Sequence, residues 1–311
     1  VILLSVETVV IGTVFMDCKG FARYRYDPLG RNVGAVKFIH GGVGRNVAEN
    51  LAKLGQKTAF VASVDDNALG RDIVKNLNDL GVDVSDMVKT ENSGMGVWLA
   101  VMDEKGALSA SISQMPDLGI LEKLVDERGD AIVSQAGSVA LEIDLTDNIS
   151  SKVLDLAEKH GKPVYGIVGN MEVVLRNRDF LRRMACFICN DVEAGRLFGA
   201  SVSRLEPDDA LELLMRESSV LKLPPMVVTL GERGCIYYDP QTDEKGKCAA
   251  IPTKVVDSSG AGDAFFSGAI FGLTRGETLA RAVNYGTQLA SLTIQVENPT
   301  CSFRPEDVVR R

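Results

Sequence analysis

The sequence predicts an α/β protein built on a mostly parallel sheet with helices on both faces, and three features of its 311 residues carry that expectation. Short β-branched runs alternate with longer helical patterns, as strands joined by crossover helices do. Two segments break the alternation with hairpin character and no helix of their own. Two glycine-bearing turns stand directly before helices, one offering free backbone amides to an anion and the other a close approach to a substrate.

The strand candidates are residues 8–12, 57–63, 131–135, 163–168, 185–189 and 226–230. Helical patterns lie at 45–54, 70–80, 149–160 and 208–216, so the order is mainly βαβα. Residues 15–40 hold two extended stretches around Asp27-Pro28-Leu29-Gly30, a turn-forming sequence. Residues 97–102 and 108–112 flank Asp103-Glu104-Lys105-Gly106 in the same way. Such inserted strands can form a small second sheet over the crevice at the carboxyl ends of the main strands, and therefore read as a lid. With no internal repeat, low-complexity tract or linker, the chain reads as one domain, 1–311, with lid strands inserted at about 15–40 and 95–114.

A formal charge of -8 and a pI near 5.0 argue against a protein that neutralises nucleic-acid phosphates, so no nucleic-acid partner is expected. The densest basic stretch, Arg176, Arg178, Arg182 and Arg183, is interleaved with Asn177, Asp179 and Phe180 and reads as the solvated face of a short helix. No apolar run reaches the roughly 18 residues of a membrane span. The apolar N-terminus is interrupted by Glu7 and Gly12 and has no basic residue ahead of it, the first Lys being Lys19. The expectation is a cytoplasmic protein without a membrane partner. Six cysteines are too sparse for a secreted disulfide framework. The spacing Cys186-Phe-Ile-Cys189 lies in an apolar run read as a buried strand, where the two thiols face opposite sides. With His40 and His160 the only histidines and no second CxxC, packing is expected there and not zinc.

The chemistry concentrates in four places, the strongest being Asp257-Ser-Ser-Gly-Ala-Gly-Asp263 ahead of a small apolar helix over 264–273. Its glycines let backbone approach a ligand, and the amides of Gly260, Ala261 and Gly262 at the helix start can hold an anion. Asp263, at the mouth of that site, can take the proton of a hydroxyl nucleophile while the amides stabilise a transferring phosphoryl group. The same aspartate also fits a plain helix cap.

The second place is Gly41-Gly42-Val43-Gly44-Arg45-Asn46, whose glycines permit close approach of a substrate and whose Asn46 can bond a sugar hydroxyl. It is no dinucleotide fingerprint, because Val47 stands where the third glycine would. Third, Asn190 and Glu193 share a helical face after the strand 185–189. They can hold the water shell of a Mg2+ ion or, alternatively, form an N-terminal capping box. Fourth, Thr229-Leu-Gly-Glu-Arg-Gly234 reads either as a turn that presents backbone to a nucleotide or as an ordinary hairpin. No GxxxxGK followed by Ser or Thr occurs, so bound ATP would not sit on a P-loop.

Together these motifs and their order resemble the ribokinase-like, or PfkB, family of carbohydrate and nucleoside kinases, over nearly the whole chain from Gly12 to about Pro305. The resemblance implies a ribokinase-like three-layer sandwich with a small inserted β-sheet lid, ATP as phosphoryl donor, Mg2+, and a small-molecule sugar or nucleoside as acceptor. Carried over by position, Asp263 is the catalytic base, with Gly260, Ala261 and Gly262 as its anion hole. Asp17, Gly41, Gly42, Val43, Gly44 and Asn46 bind the sugar, and Glu142 lies where some members contact it. Asn190, Thr229, Gly231 and Gly234 serve the nucleotide, and Glu193 with Asn190 serves Mg2+ through water. Asp257 falls where many members begin a monovalent-cation loop, which adds K+, although the residues give no independent sign of one. A homodimer through the lid completes the expected partners.

Two departures bear on the substrate. Phe15 stands two residues before Asp17, where ribose kinases usually carry Asn, and Val43 and Arg45 replace the Lys and Ala of many ribokinases. Gly-Gly-Val-Gly-Arg-Asn is instead the variant typical of pseudouridine kinases. The implied reaction is transfer of the γ-phosphoryl group to the hydroxymethyl oxygen of a nucleoside. Pseudouridine comes first, and another nucleoside or a sugar of the ribose or fructose type second. Phe15, Val97 and Leu99 are expected to offer apolar surface to the base. A non-catalytic nucleotide or sugar sensor is the alternative of a different class; Asp263 speaks against it, since a pure binder needs no base there.

Overall fold

The computed structural model describes residues 6–309, so the start of the apolar N-terminus, residues 1–5, lies outside it. From the N-terminus, β1 (Val6–Ile11) is followed by β2 (Phe15–Ala22), β3 (Gly34–Gly41), α1 (Val43–Lys53), β4 (Thr58–Asp65), α2 (Ala68–Asp79) and β5 (Met87–Thr90). Then come β6 (Gly96–Met102), β7 (Leu108–Gln114), α3 (Leu118–Gln135), β8 (Ala136–Glu142), α4 (Asp147–Lys159) and β9 (Val164–Ile167). The rest comprises α5 (Glu172–Arg176), β10 (Cys186–Asn190), α6 (Asp191–Phe198), α7 (Pro207–Leu221), β11 (Met226–Thr229), β12 (Cys235–Asp239), β13 (Glu244–Cys248), α8 (Ala261–Leu273), α9 (Leu279–Thr293) and α10 (Pro305–Val308).

The main sheet has the order β13-β12-β11-β10-β9-β8-β1-β4-β5, antiparallel only at β11/β12 and β12/β13. Successive side chains of a strand point to opposite faces, and both faces are covered. Val9 and Ile11 enter a core shared with α3, α4, α6 and α7, while Val10 enters a second core shared with α1, α2, α8 and α9. The expected mostly parallel sheet between helices is therefore present. From β1 the chain winds one way to β4 and β5, then returns to the other side of β1 for β8 through β11. Such a reversal opens a crevice at the carboxyl ends of the strands. Here it lies between β1 and β8, where Thr13 donates its amide and hydroxyl to Glu142 at 2.8 and 3.0 Å.

The second sheet, in the order β3-β2-β6-β7, is built from the two segments expected to form the lid. Asp17 lies opposite Trp98 and Lys19 opposite Ala100, so these four share one face. Cys18 lies opposite Leu99 and Met16 opposite Val97, which places Val97 and Leu99 on the other face. Leu99 stands there among exposed Val36, Phe38 and Ile112. Val97 and Leu99, expected to offer apolar surface to a base, thus do not share a face with Asp17, whereas Trp98 does, because one step along a strand reverses the face.

Two strand expectations resolve differently. Residues 131–135 are the last turn of α3, and the strand begins at Ala136. Leu121, Leu124, Val125, Gly129 and Val133 recur at helical spacing and are buried, but no glycine or proline separates helix from strand, so the apolar run is ambiguous by itself. The 185–189 strand is present as β10, and its Cys186 and Cys189 enter opposite cores. Arg176, Arg182 and Arg183 pair with Asp147, Asp179 and Asp155 on the surface. Among the described residues, no helix is long and apolar enough to cross a membrane.

Gly44 shows how tightly the glycine turn is seated on the crevice. A Cβ there would lie 2.7 Å from Gly12 Cα and 3.0 Å from the Phe60 ring. Gly44→Ala should gain about 1 kcal/mol of helix propensity but lose about 1–3 kcal/mol to overpacking. Equilibrium unfolding in urea is expected to show a net loss of stability.

Candidate active site

The apolar run from Ala264 to Phe271 buries α8 against α9 and α1 and so places its N-terminus at the crevice. Gly260 caps the helix in the left-handed conformation (φ 75°), and a Cβ there would run into the Pro299 carbonyl. Asp263 is therefore not the cap. It sits in the first turn and accepts a hydrogen bond from Asn46 Nδ2 at 2.6 Å. Burial pushes its carboxyl up to about 7, opposed by the Asn46 amide and by Arg45 and aided by the charges of Glu142 and Glu193. A base poised near neutrality is what proton transfer at that pH requires.

Arg45 sets the orientation of that amide. Its buried guanidinium donates to Glu49 Oε2 at 2.5 Å, to the His40 carbonyl at 2.6 Å and to Asn46 Oδ1. With the oxygen of Asn46 engaged, the nitrogen is left to face Asp263. Glu49 is held in turn by Lys53 at 2.5 Å and Thr300 at 2.7 Å. Asn46, expected as a sugar ligand, thus also holds Asp263, the expected base, and Arg45, which stands out in the sequence only as a family variant, orients Asn46. The Arg45/Glu49 spacing of four is the sequence signal for this pair.

On the lid side, Asp17 is half-buried beside Gly41, and burial raises its carboxyl while Lys19 and Arg45 pull it down. Lys19 is buried, stands 5.7 Å from the Trp98 ring centre, and reaches across to Asp257 at 3.5 Å. Asp257 also accepts the Ser259 amide at 2.8 Å. The carboxylate expected to begin a K+ loop is therefore met by an ammonium from the lid. Gly42 and Gly44 pack on the β1–β2 connection, and Val43 begins α1. Glu142 is taken up by Thr13, and burial raises its carboxyl.

On the opposite side, Thr229, Gly231, Gly234, Ala261 and Gly262 line one cavity of about 580 Å³, which also takes in Thr287, Ser291 and Ile294 at the C-terminal half of α9. No motif marks that helix. The Ala261 amide donates to the Ser258 carbonyl at 3.2 Å, closing the turn ahead of the helix. Asn190 and Glu193 do not line the cavity. They form the capping box: the Glu193 amide donates to Asn190 Oδ1 at 2.9 Å and the Asn190 amide to Glu193 Oε2 at 2.7 Å. Burial nevertheless raises the Glu193 carboxyl, and Asp144 adds to the effect. Among the described residues, no three His, Cys, Asp or Glu side chains come together as direct metal ligands.

A carboxylate in the first turn of α8, with the lid on one side and a large cavity on the other, is an arrangement suited to a phosphotransferase with an alcohol acceptor. The family model of pfkB family carbohydrate kinases matches residues 6–306, and the chain belongs to that family. It is 37% identical over 287 residues to a guanosine-inosine kinase of Exiguobacterium acetylicum, covering 92% of this chain and 93% of that one. A pseudouridine kinase of Escherichia coli strain K12 is 26% identical over 299 residues, covering 95% and 93%. The ribokinase of Arabidopsis thaliana, solved with ribose and ATP, superposes with a TM-score of 0.83 at 23% identity, covering 98% and 97%, and shares the fold.

Asp263→Asn keeps the shape and the Asn46 contact but removes the proton acceptor. Turnover should fall by about 10²–10⁴, with ATP binding by calorimetry nearly unchanged. Its stability should change in the opposite sense. Between 3.8 and about 7 the folded wild type binds more protons at this site than the unfolded chain, so its stability falls as pH rises through that window. Denaturation curves should therefore show the variant gaining on wild type from pH 4 to pH 7 and holding the gain above.

Proposed function

We propose that the protein is an ATP-dependent nucleoside kinase that transfers the γ-phosphoryl group to the hydroxymethyl oxygen of a ribonucleoside, with guanosine or inosine as first candidates. The observation that carries the transfer is Asp263, half-buried, bonded to Asn46 at 2.6 Å and standing one residue beyond the cavity-lining Gly262. In this reading Asp17 binds sugar hydroxyls, Asp263 takes the proton of the attacking hydroxyl, and the Gly260 and Gly262 amides at the start of α8 meet the phosphoryl group. The cavity bounded by Thr229, Gly231 and Gly234 holds the nucleotide. The 37% identical guanosine-inosine kinase supports a purine nucleoside. The Gly-Gly-Val-Gly-Arg-Asn turn and the 26% identical pseudouridine kinase support pseudouridine as the second reading. A sensor without turnover would have no use for a carboxylate held near pH 7. The exposed apolar face of the lid fits a second copy of the chain.

The acidic floor fits a hydrated Mg2+ ion better than a directly ligated one. Glu142, Glu193 and Asp263 are raised chiefly by burial, and neighbouring carboxylates add to each shift, but no three converge as ligands. When bound with the nucleotide, the ion would neutralise phosphate charge, and Glu193 would hold one of its waters. Glu193→Gln can keep the capping box, so it should raise the Mg2+ concentration for half-maximal rate by about tenfold with little change in nucleoside KM. An unchanged Mg2+ titration returns the pair to capping alone.

Trp98 shares the inward face with Asp17 and offers a flat surface to a base. Trp98→Ala should lower kcat/KM for guanosine or inosine by about tenfold to a hundredfold and leave free ribose nearly unaffected. Kinetics over guanosine, inosine, pseudouridine and ribose decide the class: if ribose equalled the best nucleoside in kcat/KM, the nucleoside reading would fail.

A further inference from the structure

Cys235 opens β12 and Cys248 closes β13, and the antiparallel register sets them directly opposite each other. Residues so paired have Cα atoms about 4.5–5.5 Å apart, inside the range of about 4.4–6.8 Å that a disulfide spans. Both are free thiols in this structure. The pair stands at the rim of the large cavity. Gly234, which lines it, precedes Cys235 and is seated against the Cys248 carbonyl and the Ala250 amide, and Ala250 lines it too. The Cys248 thiol also lies 3.5 Å from Thr287 Oγ1, a third lining residue, and 3.2 Å from Asn284 Oδ1.

The two thiols are unequal. Cys248 is half-buried on the edge strand of the sheet, whereas Cys235 is buried. A hydrogen bond from the Cys235 thiol, with a second contribution from Thr287, holds the Cys248 thiol down to about 6, while the same bond and burial push Cys235 up. An accessible thiolate beside a sheltered partner is the arrangement in which one sulfur attacks an oxidant and the other resolves the product.

We propose that Cys235 and Cys248 form a thiol–disulfide modification site that takes a small disulfide such as glutathione disulfide and, on closing, weakens binding in the adjacent cavity. The Cys248 thiolate attacks one sulfur of glutathione disulfide, giving a mixed disulfide and releasing one glutathione thiolate. The Cys235 sulfur then attacks Cys248 Sγ and displaces the second glutathione, which takes up the Cys235 proton. Two protein thiols are oxidised by two electrons, and one glutathione disulfide becomes two glutathione molecules. The new bond draws Cys248 Sγ away from Asn284 and from Thr287, which lines the cavity, and fixes the strand ends that carry Gly234 and Ala250. The effect on binding rests on the reading of this cavity as the nucleotide site.

The test incubates the full-length protein with glutathione disulfide, maps its disulfides by mass spectrometry of unreduced peptides, and titrates ATP by calorimetry before and after. The expected results are a Cys235–Cys248 cross-link and an ATP Kd raised about tenfold, both reversed by dithiothreitol. Cys248→Ser should show neither change, and Cys235→Ala should stop at glutathione attached to Cys248. Absence of the cross-link, or a cross-link with unchanged ATP affinity, overturns the proposal. A reduced protein that binds no ATP would overturn the nucleotide reading and with it the predicted effect on binding, while the peptide map would still decide the disulfide.

Discussion

A carboxylate sunk into protein must be given donors that cannot turn away, and the Asp263–Asn46–Arg45–Glu49 chain meets that requirement here. An unpaired buried charge costs several kcal/mol, and each member of the chain relieves the next. Asn46 serves Asp263, Arg45 fixes Asn46, and Glu49, backed by Lys53 and Thr300, neutralises Arg45. The chain joins α1 to α8, so the packing of those two helices and the readiness of the base are one property. Relief is incomplete, since Glu142 and Glu193 act on the same carboxyl, which stays raised to about 7.

The lid is tied to this core at two depths. At its root, Thr13 and Glu142 clamp the β1–β2 connection across the strand reversal. Across the cleft, Lys19 reaches Asp257 at the head of the turn that carries Gly260 and Asp263, and Lys37 pairs with Glu297 nearer the surface. The exposed Lys37 pair contributes little. Lys19 is buried and lies beside Trp98, so its ammonium couples the inward lid face to the turn ahead of α8.

Much of the site is legible in the amino-acid sequence, because its chemistry is local. The turn before α8, the glycines before α1, and the lid segments are recognised from residues within a few positions of one another. The strands β1, β4, β9, β10 and β11 and the helices α1, α2, α4, α7 and α8 are read in the same way, whereas α3 and α9 are not. The ambiguities and misreadings also have local causes. A helix that runs into a strand without punctuation hides the boundary at Ala136, and Asn190 with Glu193 satisfies two descriptions that the same spacing permits. Leu99 in place of Trp98 is an error of one position, which on a strand is the whole width of the sheet.

What no local pattern contains is which distant groups meet. Asn46 and Asp263 are 217 positions apart, and only the order of strands and the packing of α1 on α8 brings them to 2.6 Å. The same holds for Lys19 with Asp257 and for the raised carboxyl of Asp263. A side chain's charge state and partner depend on what surrounds it in space, whereas a motif records only what precedes and follows it along the chain. The residue types capable of phosphoryl transfer were therefore readable from the chain, and their burial, orientation and pairing were decided by the fold.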